Sequence, residues 1–354
     1  MKILLLPGDG IGPEITAATR AALEALDRRL GLDLELIERD IGFASLARTG
    51  STFPEEIEQE VRDADAVILG PADTYQYPAR AQGGLNPSAE MRTRFDLFAN
   101  IRPAFTHPSI KSMAASMDLV VVRENTEGFY ADRNMVEGSG EFSPVPGVAL
   151  AVRKITAHGS TRIARVAFQL AAERRKHVTM VHKANVLKMT DGLFTQCVRD
   201  VANDFPDIEM DERIVDAMAA WLIRAPERFD VIVTTNMFGD ILSDEAAELA
   251  GGLGLAGSVN AGDEHAVAQA THGSAPDIAG QGIANPVSLM RSTASLFQWL
   301  AAHKGQNQLS EAGALLHAAV DSALSDPGAH PIDLGGSAST EAVGVAVAHH
   351  LMQT

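Results

Sequence analysis

Thr235-Asn236-Met237-Phe238-Gly239-Asp240-Ile241-Leu242-Ser243-Asp244-Glu245 follows an apolar strand candidate, Val231–Thr234, and opens a helix candidate over Gly239–Gly251. Strand, tight turn and helix in this order read as one step of an α/β fold. Asp240 and Asp244 stand four residues apart, so both carboxylates project from one helix face, one turn apart. Two acids stacked in this way repel unless a cation sits between them, and hard oxygen ligands suit Mg²⁺ or Mn²⁺. The plainer reading is a solvated acidic first turn, favoured by the helix dipole. On this pair alone the two readings stand level.

The pattern repeats outward along the chain. Short apolar runs predict strands at Lys2–Leu6, Leu34–Ile37, Ala66–Leu69, Leu119–Val122, Val148–Val152 and Val178–Val181. Amphipathic stretches predict helices at Pro13–Leu30, Thr161–Lys176, Asp191–Asn203, Asp211–Arg224, Pro286–His303 and Gln308–Leu324. No internal repeat or low-complexity tract interrupts them. Asp132–Pro146, rich in Gly, Pro, Ser and Glu, reads as a loop or an arm crossing to a partner. Gly251-Gly252-Leu253-Gly254 reads as a hinge.

The chain has 354 residues, 46% of them hydrophobic and 21% charged, which suits a soluble protein with two cores. A formal net charge of -17 argues against nucleic acid and anionic membranes as partners. An anionic substrate would have to be captured by a local basic cluster. The single cysteine, Cys197, excludes an intramolecular disulfide and fits a reducing cytoplasm; it reads as a small buried apolar residue. Met1–Leu6 is too short for a signal peptide, and no apolar run reaches membrane-spanning length.

Several segments carry chemistry. Gly8-Asp9-Gly10-Ile11-Gly12-Pro13-Glu14 is a strand-to-helix turn, but Pro13 occupies the third glycine position of a dinucleotide fingerprint, so the turn is not a Rossmann motif. Arg92 and Arg102 flank an apolar stretch and Arg123 ends an apolar strand. Arginine forks bind carboxylates bidentately, although surface salt bridging is the usual role of an arginine taken alone. Lys183 follows another apolar strand, where lysine is unusual unless paired or functional. Asp216 reads as either a solvated group or a ligand. Thr271–Pro286 is a long loop of small residues that offers backbone N–H groups to a flat or phosphorylated ligand.

Taken together, TNMFGDILSDEAA over Thr235–Ala247 and HGSAPDIAGQGIANP over His272–Pro286, with the other segments in order, resemble the metal-dependent β-decarboxylating dehydrogenases. That family includes isocitrate, isopropylmalate, homoisocitrate and tartrate dehydrogenases. The resemblance implies the family's own two-domain α/β fold, not a Rossmann fold, with a discontinuous first domain. That domain would comprise residues 1–99 and 252–354. Residues 100–251 would form an inserted second domain carrying the metal site, the dimer interface and an intersubunit arm at 132–150.

The resemblance also implies roles. Arg92, Arg102 and Arg123 would hold the two malate carboxylates. Tyr130 would protonate C3 after decarboxylation, and Lys183 would stand beside the C2 hydroxyl. Asp216, Asp240 and Asp244 would ligate Mg²⁺ or Mn²⁺, with Lys183 and Asp216 supplied by the other subunit of a homodimer. His272, Gly273, Ser274, Ala275, Asp277, Ile278 and Asn285 would bind adenosine. Asp277 would accept hydrogen bonds from the ribose hydroxyls and repel a 2′-phosphate, which implies NAD. Asn86 and Ser88, before the first arginine, would read a polar third group. The implied reaction is NAD-dependent oxidative decarboxylation of a 3-substituted (2R)-malate, of isocitrate, homoisocitrate or tartrate type. The alternative is 3-isopropylmalate, and a more remote one is a non-catalytic regulatory subunit. That last reading is disfavoured because the aspartates, tyrosine and lysine are all present.

Overall fold

A computed structural model describes residues 1–130, 135 and 138–353. Among these, twelve strands and eleven α-helices form a mixed α/β structure. The strands are β1 (Lys2–Leu6), β2 (Glu35–Glu38), β3 (Ala66–Leu69), β4 (Ala99–Phe105), β5 (Asp118–Glu124), β6 (Glu141–Val145), β7 (Val148–Ala151), β8 (His177–His182), β9 (Glu209–Ile214), β10 (Val231–Thr234), β11 (Val259–Ala261) and β12 (Ala266–Gln269). The helices are α1 (Gly12–Leu30), α2 (Gly42–Thr49), α3 (Glu55–Asp63), α4 (Pro87–Arg94), α5 (Ala157–Ala172), α6 (Thr190–Ala202), α7 (Val215–Arg224), α8 (Asn236–Ala250), α9 (Val287–Lys304), α10 (Asn307–Leu324) and α11 (Thr340–Gln353).

Ten strands share one sheet in the order β2-β1-β3-β12-β11-β4-β5-β10-β8-β9. The outer strands on both sides pair in parallel, while β11 is antiparallel to both neighbours and β4 is antiparallel to β5. Successive side chains leave a strand on opposite faces, and the cores follow that alternation. Ile3, Leu5 and Ile68 face α1, α9 and α10, whereas Leu4, Leu6 and Val67 face α3 and α4. In the other half of the sheet, Val120, Val231 and Val233 face α5 and α6, while Leu119, Val121 and Ile232 face α7 and α8. Apart from Ile110, these cores divide the chain near residues 97–98 and 250–255.

Two expectations change. The helix predicted from Asp211 begins only at Val215, because 209–214 is the edge strand β9, paired with β8 from His177↔Glu209 to His182↔Ile214. Polar, half-buried residues alternate along that edge and imitate one face of a helix. The loop expected up to Pro146 contains a strand, since β6 pairs antiparallel with β7 in an exposed hairpin. Of the arm expected over 132–150, residues 132–134, 136 and 137 lie outside the described residues. No helix among the described residues is long and apolar enough to cross a membrane.

Candidate active site

The site forms where α8 starts against β4 and β5. Gly239 permits the approach: a Cβ there would lie 2.6 Å from both Cβ and Cγ of Arg123. The apolar face of α8, including Leu242, Ala246 and Leu249, sinks into the core, which leaves Asp240 and Asp244 on the opposite side facing the arginines.

Arg123 is 2% exposed. Its Nε and Nη2 donate to Asn236 Oδ1 at 3.0 and 2.8 Å, and its Nη1 donates to Asp240. Arg102, on β4, donates from Nε to Asn100 Oδ1 at 2.6 Å, and from Nη1 to Ser243 Oγ and Asp244 Oδ1, both at 2.8 Å. Asp240 Oδ1 lies 3.3 Å from the same Nη1. The Tyr130 hydroxyl donates to Asp240 Oδ2 at 2.6 Å, and the ring sits under the Arg123 guanidinium.

The electrostatics follow from this crowding. Burial, reinforced by the neighbouring Arg123 cation, pushes Arg102 down to about 10, so it remains charged at neutral pH. Burial pushes Asp240 upward, but Arg123, Arg102, the Tyr130 hydrogen bond and Arg92 outweigh it and hold the carboxyl below the usual range. Arg92 thereby belongs to the same field from its buried place on α4. Asp244 goes the other way: burial raises it and Arg102 opposes, while the charge of Asp240 adds to the rise.

Lys183 and Asp216 form a second group, with the Lys183 ammonium donating to the exposed Asp216 carboxylate and lowering its pKa. The fully buried Asp191 fixes this group. It accepts Lys183 N at 2.6 Å and an Arg153 Nη1 bond, and Arg153 Nη2 reaches Thr235 Oγ1 at 3.1 Å, at the start of α8. Among the described residues no three His, Cys, Asp or Glu side chains converge as a metal site within one chain. Asp240 and Asp244 offer the hard oxygen donors a divalent ion requires.

Asn86 and Ser88 sit at the start of α4. The Asn86 side chain caps the helix by accepting Ala89 N at 3.1 Å. Ser88 Oγ donates to Gln269 Oε1 at 3.0 Å, Asn260 Nδ2 donates to the same oxygen at 3.0 Å, and Asn125 Nδ2 donates to Asn260 Oδ1 at 2.9 Å. This polar chain links α4 to β12, which leads into the 271–286 loop.

In that loop, Ser274 O accepts Ile11 N at 2.9 Å, Gly282 N donates to Glu14 Oε2 at 2.9 Å, and Asn285 Nδ2 donates to Asp333 Oδ2 at 3.0 Å. Ala275 has φ 39, and Ile278 N donates back to Ala275 O. Gly273 and Asp277 are exposed, and the Asp277 carboxylate makes no hydrogen bond or ion pair with the described residues. Burial lowers the His272 pKa, so the ring is neutral, and its buried Nε2 has no hydrogen-bond partner among the described residues. A loop with an orphaned buried nitrogen and a free carboxylate fits a nucleoside.

Asn100, Asn125, Asn236, Ser243, Asn260, Gln269, Arg153 and Asp191 were not anticipated. Asparagine is depleted in strands, so Asn100 in β4 and Asn260 in β11 hid the strands that carry them rather than marking a site.

The isocitrate/isopropylmalate dehydrogenase family model matches residues 2–347. The chain is 44% identical over 352 residues to the isocitrate/homoisocitrate dehydrogenase of Thermus thermophilus, covering 99% of this chain and 98% of that protein. It is 42% identical, with the same coverage, to the 3-isopropylmalate dehydrogenase of Methanothermobacter thermautotrophicus. The crystal structure of isocitrate dehydrogenase from Methylococcus capsulatus superposes with a TM-score of 0.87 at 38% identity, covering 99% of each chain. The chain belongs to the isocitrate/isopropylmalate dehydrogenase family.

Proposed function

We propose that the protein catalyses NAD-dependent oxidative decarboxylation of a 3-substituted (2R)-malate, with Mg²⁺ or Mn²⁺ as cofactor. One observation carries this reading: Arg102 and Arg123 interleave with Asp240 and Asp244 in a single site. The cations suit two substrate carboxylates and the acids suit one divalent ion.

Arg92, Arg102 and Arg123 bind and orient the carboxylates, fixing C2 and C3 before chemistry. Asp216, Asp240 and Asp244 hold the ion, which when bound supplies positive charge beside the C2 oxygen and lowers its pKa. The nicotinamide supplies the oxidant, and His272, Asp277 and Asn285 seat its adenosine end. Lys183 stands beside the C2 hydroxyl, and its positive charge stabilises the enolate left when the C3 carboxylate departs as CO₂. Tyr130 delivers the proton to C3 from the hydroxyl that Asp240 orients.

A homodimer completes the site by exchanging Lys183 and Asp216. Exposed apolar residues support it: Val186 and Met189, 65% and 88% exposed, neighbour Lys183, and Phe142, Val145, Val148 and Leu150 line the hairpin. Residues 1–99 with 252–354, and 100–251, would move as two domains.

A polar third group is favoured over isopropyl. Ser88, Gln269 and Asn260 line a polar path, while Leu85 packs toward the apolar core around Leu97. The test is NAD⁺ and NADP⁺ reduction with Mg²⁺ or Mn²⁺ across D-malate, tartrate, isopropylmalate, isocitrate and homoisocitrate. NAD⁺ reduction with a substrate bearing a polar group at C3 supports the reading. Preference for isopropylmalate overturns the polar assignment, and no turnover with any member overturns the function.

A further inference from the structure

The first turn of the chain joins two segments that the proposed reaction uses separately. Asp9, 6% exposed, accepts Phe43 N at 2.8 Å on Oδ1 and Asp73 N at 3.0 Å on Oδ2, and Oδ2 also accepts the Tyr77 hydroxyl. Its own amide donates to Pro71 O at 2.8 Å. The packing around the carboxylate is closed: a Cβ at Gly42 would meet Asp9 Oδ1 at 2.3 Å, and Phe43 stands edge-on to the Tyr77 ring at 5.1 Å.

The next two residues grip the nucleoside loop. Ile11 N donates to Ser274 O, and Gly10 lies so near that a Cβ there would come within 1.9 Å of the same oxygen. Asp9 therefore ties residues 71–77 to the support of the 271–286 loop. Thr52, fully buried, holds the far end of the same segment: it accepts Leu85 N at 2.7 Å and its hydroxyl donates to Leu85 O at 2.6 Å. Leu85 leads directly into Asn86, Ser88 and Arg92 on α4.

We propose that Asp9, through the Tyr77 hydroxyl and the Asp73 amide, is a positioning residue that sets which C3 substituent the enzyme accepts. Together with Thr52 they fix both ends of residues 71–85, and so the entry angle of the helix that reads the substituent. The burial that raises the Tyr77 pKa keeps this phenol a donor at all working pH values. The inference rests on the proposed reaction and on its reading that α4 meets the C3 substituent.

The experiment compares full-length wild type with Tyr77→Phe, which removes one hydroxyl and keeps the ring packed on Phe43, and with Asp9→Asn. In Tyr77→Phe, KM for the preferred 3-substituted malate rises about tenfold, the size of one lost hydrogen bond to a charged group. The KM for unsubstituted D-malate rises less, by no more than about threefold, since Arg92 shifts with the same helix while only the substituted malate also loses the contact to its extra group. Amide hydrogen exchange over residues 73–85 speeds up in the same variant while that of α9 does not. An unchanged ratio of kcat/KM between substituted and unsubstituted malates overturns the proposal, and so does unchanged exchange over 73–85. If wild type turns over no malate, the proposed function fails, and the exchange measurement alone decides whether Asp9 anchors the segment.

Discussion

At the scale of single residues, the spacing of Asp240 and Asp244 gave their shared helix face, and the apolar strand before Arg123 marked that arginine as unusual. Nothing in the sequence gave the arginine–aspartate pairing, because it depends on a contact between α8 and β5 more than a hundred residues apart. Gly239 makes that contact. A side chain there would need space held by the Cβ and Cγ of Arg123, the most deeply buried of the three arginines. Gly239→Ala should fold, since alanine favours helix, yet push the start of α8 off β5. We expect kcat/KM to fall by at least about tenfold, because small misplacements of positioning groups are costly. Steady-state kinetics beside a thermal melt would check this; unchanged kinetics would contradict the packing argument.

At the scale of elements, long apolar or strongly amphipathic runs were legible: β1, β3 and β10 fall where the residues predict them. The strands β4, β11 and β12 were not: Asn100, Arg102 and Pro103 break the apolar pattern of β4, Asn260 breaks that of β11, and β11 and β12 are only three and four residues long. The edge strand β9 read as helix for a related reason: an edge is half solvated and its alternation is weak. The pairing of α9 with α10 carries a stability prediction. Burial, with Arg291 adding and Asp321 opposing, lowers His317 from 6.5 to about 4, and its Nε2 lies 3.5 Å from Ser295 Oγ on α9. Above pH 6.5 the ring is neutral folded or unfolded and contributes no pH dependence. As pH falls from about 6.5 toward about 4, only the unfolded chain takes up the proton, so the fold loses stability, on the order of 3 kcal/mol. His317→Gln should flatten that part of the stability-versus-pH curve in denaturant titrations. Parallel curves for the two proteins would show that His317 titrates normally.

At the scale of the whole molecule, an acidic chain of net charge -17 sets Arg102 and Arg123 beside Asp240, with Arg92 in the same field, a local basic cluster of the kind the proposed anionic substrate requires. Lys183 and Asp216 pair with each other, and beyond the family resemblance no motif linked them. If two copies exchange these residues, subunits carrying Lys183→Ala and subunits carrying Asp244→Asn are each inactive as homodimers. Refolded together, they should regain about one quarter of wild-type activity, since random pairing of two subunits gives half heterodimers, each with one intact site. No recovery would mean that each chain works alone. The central claim is that oxidation and loss of CO₂ are one metal-dependent reaction at the Asp240–Asp244 site. The most direct test measures CO₂ released against NADH formed for the best substrate of the panel, with Mg²⁺, with chelator, and in Asp244→Asn. We predict equal amounts with Mg²⁺ and the loss of both products together under chelation and in the variant. NADH without CO₂, or full turnover by Asp244→Asn at ordinary metal concentration, would contradict the account.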